Sequence, residues 1–230
     1  MESSNKDLII NQLTIKSKVK QLASDQAQYA LDQIKEILQS VVTNYNIDLQ
    51  GKDNRIMMEY RDRGKFEAEL KVAADVLIFS MHTNIFEFNR EHSIWKTPFA
   101  KENPLNTYCG IINIYNFLAD SFKYSRDEDL GYLIGRIFIN RDGYFMVEGK
   151  RQLGFMYNNI GQEKISADNL QNIIEIAILY SIEFDLLVPP YDNVKIASVY
   201  QMNQKIQSSR MQTGKRLGFT FNSDDVSRES

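Results

Sequence analysis

The chain has one cysteine, two histidines, one tryptophan, four prolines and eleven glycines among 230 residues. A single cysteine, Cys109, excludes an internal disulfide framework and agrees with a reducing compartment, so a cytoplasmic location is expected. Two histidines exclude a histidine-rich metal site. Scarce glycine and proline exclude collagen-like or low-complexity organisation. The apolar runs 72–81 and 173–188 are broken by Asp75, Glu175, Glu183 and Asp185, so neither predicts a membrane-spanning helix. Residues 1–7 are polar and lack the apolar core of a signal peptide. Charge of one sign is missing too. Lys and Arg total 27 against 30 Asp and Glu, too balanced for capture of nucleic acid by the protein as a whole.

Several catalytic signatures are absent. Gly149-Lys150-Arg151 and Gly214-Lys215-Arg216 lack the upstream glycine and the Ser/Thr of a Walker A loop. No Gly-x-Gly-x-x-Gly follows a strand, and no strand–helix alternation suits a dinucleotide fold. Val188-Pro-Pro-Tyr191 resembles the Asn/Asp-Pro-Pro-Tyr loop of amino-group methyltransferases. Its valine, however, cannot accept a hydrogen bond from a substrate amine. No cofactor is implied.

What the sequence does contain is a helix–sheet–helix order. Residues 5–49 lack Gly and Pro and predict helix, read as two helices meeting near Ser24. Leu31, Ile34, Leu38, Val41 and Tyr45 form one stripe, continued backward by Ala23, Ala27 and Ala30. That stripe suits either packing on the chain's own sheet or self-association with a second copy. After Gly51, residues 55–60 predict a short strand. Residues 66–72 alternate, with Phe66, Ala68, Leu70 and Val72 inward and Glu67, Glu69 and Lys71 outward, and the strand signal continues to 81. His82–Asn84 reads as a turn and 85–88 as a returning strand. Residues 89–107 have no clear period, and long irregular connections are often functional.

Residues 110–124 place Ile111, Ile114, Tyr115, Leu118 and Phe122 on one helical face and are assigned as helix, although their Ile and aromatic content suits a strand equally. A three-stranded meander follows at 132–139, 144–148 and 153–157, with a hairpin signal at Asn140-Arg-Asp-Gly143. Ser166 caps a helix to about residue 187, ended by Pro189 and Pro190. A last helix is assigned to 193–211, an edge strand to 217–221 and a disordered tail to 222–230. Residues 166–193 carry five acids and no base, and 194–221 five bases and no acid. This suits an antiparallel helix pair or a basic end facing an anion.

The expected fold is therefore α+β. It has a mainly antiparallel sheet of about five to six strands, a long N-terminal helix and two C-terminal helices. The expected organisation is a helical segment 1–50, a domain 51–221 and the tail. This layout is similar to GAF- or PAS-like sensory domains at the level of architecture alone.

Candidate site residues follow from buried charge and unusual side chains. Asp75 interrupts an apolar run, and Arg136 shares the strand face of Tyr132, Ile134 and Phe138, so each requires a partner. Arg136, with Lys150 and Arg151 on the neighbouring turn, suits a small anionic ligand. Trp95 and Asp75 complete the candidate ligand set, and the cleft is expected between the sheet and the 89–110 loop. His82, Glu87 and His92 are the weak metal candidates, although as turn residues they also suit bonds to backbone. Cys109 beside an apolar run suits a buried, inert thiol. The leading function is a non-catalytic ligand-binding or regulatory module, dimeric through the N-terminal helix. The alternatives are a metal-assisted or thiol enzyme using 82–110 and a nucleic-acid-associated protein using the basic 194–221 segment.

Overall fold

The computed structural model describes residues 4–185. Helix α1 (Asn5–Gln12), a π-helical turn (Leu13–Ser17) and helix α2 (Lys18–Asp48) run on as one rod. The expected junction at Ser24 is not there, since neither Gly nor Pro interrupts the hydrogen-bond ladder. The irregularity falls instead at the π turn. Such a turn inserts one residue and rotates the helix N-terminal to it relative to the remainder. Ser4 Oγ caps the start by accepting from the Lys6 N–H at 3.3 Å. The predicted stripe is buried as packing on the chain's own sheet: Ala23, Ala27, Ala30, Leu31, Ile34 and Leu38 are fully inside.

The sheet comprises β1 (Glu59–Asp62), β2 (Glu67–Val72), β3 (Asp75–Met81), β4 (Phe86–Glu87), β5 (Tyr108–Leu118), β6 (Tyr132–Asn140) and β7 (Phe145–Gly149). All pairings are antiparallel, in the order β1-β2-β3-β5-β6-β7, with the short β4 pairing with the start of β5. The short helices α3 (Pro98–Glu102), α4 (Ala119–Lys123) and α5 (Leu153–Met156) precede α6 (Ala167–Glu183). Helices α2 and α6 share one core with Leu70, Leu77, Phe79, Ile112, Ile114, Ile137 and Ile139 on one sheet face. Each large apolar side chain buried there contributes about 1.5–3 kcal/mol. The α+β class and the antiparallel sheet are as expected. The second C-terminal helix, the 217–221 strand and the tail lie outside the described residues.

Four local assignments change. Residues 108–118 form the longest strand rather than a helix. Both faces of β5 are buried over its first five residues, and in the second half, where burial alternates, polar Asn116 sits on the buried face, so the sequence itself does not alternate and its Ile and aromatic residues mimic a helical stripe. Residues 153–156 are helical rather than extended, because the chain turns sharply after Gly149. A Cβ at Gly149 would lie 2.6 Å from Leu153 Cβ, and Arg151 has φ +48°. The run 66–81 is a hairpin, turned by Ala73 at φ +50° without the usual Gly or Asn. The expected 55–60 strand starts later, at Glu59, after a 3-10 turn at Asn54–Ile56.

Two close approaches fix the layers. A Cβ on Gly110 would lie 2.5 Å from Ala27 Cβ and 3.3 Å from the Ala23 carbonyl oxygen. The small stripe of α2 therefore touches the backbone of β5 directly. At the far end, Ser166 and Asn169 form a reciprocal capping box that starts α6. Among the described residues no helix is long and apolar enough to cross a membrane.

Candidate functional site

The outer sheet face is covered at one end by residues 88–107. This stretch is a chain of side-chain-capped turns rather than a formless loop. His92 Nδ1 accepts from Ile94 N–H, Thr97 Oγ1 from Ala100 N–H and Asn103 Oδ1 from Leu105 N–H. Pro98 and Pro104 occupy first-turn positions, where a missing N–H costs nothing. Ile94, Ala100, Cys109, Ile111, Phe138, Met146 and Ile160 fill the space between loop and sheet. A small hydrophobic core therefore occupies the place where the ligand cleft was expected.

The five predicted ligand residues are distributed over the molecule. A β-bulge at Ile114/Tyr115 shifts the β5–β6 register. Ile134 consequently turns into the main core, while Arg136 stays on the outer face beside Phe138. Arg136 pairs with Glu148, whose other oxygen lies 3.2 Å from His92 Nε2. Trp95 Nε1 donates to the Asn89 carbonyl at 2.9 Å, and Arg90 lies over its ring at 4.0 Å. Arg151 pairs with Glu183 at 2.9 Å, across the turn from β7 to α6. Lys150 N–H donates to the Ile134 carbonyl. Asp75 is buried beside the turn of the β2–β3 hairpin, opposite Val72 and Leu118.

The metal and thiol candidates have structural occupations. His82 Nδ1 accepts from Asn84 N–H at 2.9 Å, and its ring meets Phe86 edge-on. Nδ1 of His92 accepts from the Ile94 N–H, which leaves Nε2 to donate to Glu148 at 3.2 Å. Glu87 pairs with Arg90 at 3.1 Å. Among the described residues no three His, Cys, Asp or Glu side chains are grouped to hold a metal. Cys109 is 1% exposed, and burial pushes its thiol far above the ordinary range. The reactive thiolate is therefore suppressed.

A different set of residues frames the cleft. Beside the π turn, the N-terminal rod overhangs β4, the 88–107 turns and the start of β5, enclosing a cavity of about 290 Å³. From the helix side come Asn11, Gln12, Ile15 and Lys16. Glu87, Arg90, Leu105 and Tyr108 form the opposite wall. Lys16 and Lys20 each place Nζ 5.4 Å from the centre of the Tyr108 ring. Bonding to the Tyr108 hydroxyl raises the Lys16 ammonium above its ordinary value. Neither lysine forms an ion pair among the described residues. Tyr108 itself is only 6% exposed. The arrangement holds two like charges around one aromatic ring, with amides and an apolar wall alongside, a setting that favours an anion.

Sequence reasoning found the loop but missed this wall. The available signal was Lys16-x-Lys18-x-Lys20 upstream of the buried stripe and Tyr108 next to Cys109. No protein-family model matches the chain, and searches of curated proteins and of solved structures find no match either.

Proposed function

We propose that the chain is a non-catalytic binding module that takes a small anionic ligand in the cleft between its N-terminal helix and the 88–107 turns. One observation carries this reading: Lys16 on the cavity wall and Lys20 one turn further along the helix both approach the Tyr108 ring, and neither forms an ion pair among the described residues. Two neighbouring ammonium groups repel each other, and an anion between them relieves that repulsion. Asn11 and Gln12 offer amide donors and acceptors to the remainder of the ligand, while Ile15 and Leu105 offer apolar surface. Glu87 is held by Arg90, so that pair closes the site rather than opposing the ligand. A cytoplasmic location belongs to the same reading and is supported by the single unpaired thiol.

A thermal-shift screen with inorganic phosphate, carboxylates and mononucleotides tests the proposal. An anion that raises the melting temperature of the wild type, but not of Lys16→Ala/Lys20→Ala, supports it. Equal shifts in both proteins, or none in either, contradict it.

A further inference from the structure

The N-terminal rod carries a second surface, independent of the cleft. The buried stripe of α2 is satisfied by the sheet, so any association through this helix must use the opposite face. That face presents Lys6, Ile10 and Leu13 before or at the π turn and Lys18, Leu22, Asp25, Tyr29, Asp32 and Glu36 after it, all exposed. Steps of three or four residues separate them, apart from the five-residue step across the π turn, which the inserted residue absorbs. Ile10, Leu13, Leu22 and Tyr29 are 41–60% exposed, and large apolar residues in one row mark a contact surface. Residues 5–18 contain no buried side chain at all. A free stretch of that length, rich in Ile and Asn, is marginal as an isolated helix.

We infer that this face pairs with the same face of a second copy, antiparallel, about a two-fold axis near residue 21. Charge chooses the orientation. The first half of the face is basic through Lys6 and Lys18, and the second half is acidic through Asp25, Asp32 and Glu36. Lys18 and Asp25 have no ion-pair partner among the described residues. Antiparallel pairing sets Lys18 against the partner's Asp25 and Lys6 against the partner's Glu36. Leu13 meets the partner's Tyr29, and Leu22 lies at the axis. Parallel pairing would set each charge against itself. From Lys6 to Glu36 the face is about 45 Å long. Two faces of that length bury on the order of 1,000 Å², the scale a specific interface needs.

Sedimentation of the full chain over a range of concentrations tests the pairing. The wild type is expected to dimerise. Lys18→Glu and Asp25→Lys are each expected to weaken dimerisation roughly five-fold, and the double reversal to restore it. Leu13→Cys/Tyr29→Cys is expected to form disulfide-linked dimers under oxidation, whereas either single variant is not. Both charge positions are exposed, and unchanged helical circular dichroism checks that the fold survives. A monomer at every concentration overturns the inference. So does a dimer indifferent to the charge reversals, or one cross-linked by Leu13→Cys alone.

Discussion

Along one continuous helix, residues 19–41 and residues 5–18 meet opposite fates. The later stretch places Val19, Ala23, Ala27, Ala30, Ile34, Leu38 and Val41 against the sheet, and all are buried. The earlier stretch is richer in Leu and Ile, yet none of its residues is buried. Hydrophobicity alone does not distinguish the two. The difference is spacing and size: alanines at close intervals let the later helix touch Gly110, whereas the exposed Leu8, Ile9, Ile10, Leu13 and Ile15 are spread around the helix. A helix with apolar residues on every side needs partners beyond its own sheet. The same stretch borders the cleft and begins the proposed interface.

Substitutions in the two stretches, and in the strand and helix packed on the later one, probe that difference. Ile34→Ala empties a fully buried site and is expected to cost about 2–5 kcal/mol in chemical denaturation. Gly110→Val forces a side chain where a Cβ already comes within 2.5 Å of Ala27, with an expected loss of about 1–3 kcal/mol. Ser166→Ala removes the cap of α6 and is expected to cost about 1 kcal/mol. Ile10→Ala is expected to change the unfolding free energy of dilute, monomeric protein by less than about 0.5 kcal/mol. A large loss there would mean that the overhang is packed on its own domain.

The buried thiol gives a prediction linked to pH. Burial raises the Cys109 thiol in the folded state, so the folded chain holds this proton more tightly than the unfolded chain. Its contribution to stability is full below the ordinary thiol range and declines as the pH rises through it. Cys109 is expected to resist alkylation at pH 8 until the protein unfolds, as mass spectrometry would register. Rapid labelling of native protein would contradict its burial.

Much of the fold was legible because single residues carried local signals. Gly143 has φ +79° in the predicted hairpin, and Ser166 caps the predicted helix. The long helix was legible from its length and from its lack of breakers. Strand β5 was not, because its first half is buried on both faces and its second half carries Asn116 on the buried face, so polar and apolar residues do not alternate. The β2–β3 turn was hidden because alanine occupies the left-handed position usually held by Gly or Asn. For Arg136, a bulge decided which neighbours share its face, and no residue type announces a bulge. The cleft was out of reach for a further reason: it joins residue 16 to residue 108, and only the tertiary fold makes them neighbours.

The proposed anion site is the pair Lys16 and Lys20 beside Tyr108. Titration calorimetry with inorganic phosphate at low and high salt tests it most directly. One site per chain is expected, weakened by salt and abolished in Lys16→Ala/Lys20→Ala. No heat at low salt, or binding unchanged by the double substitution, would contradict it.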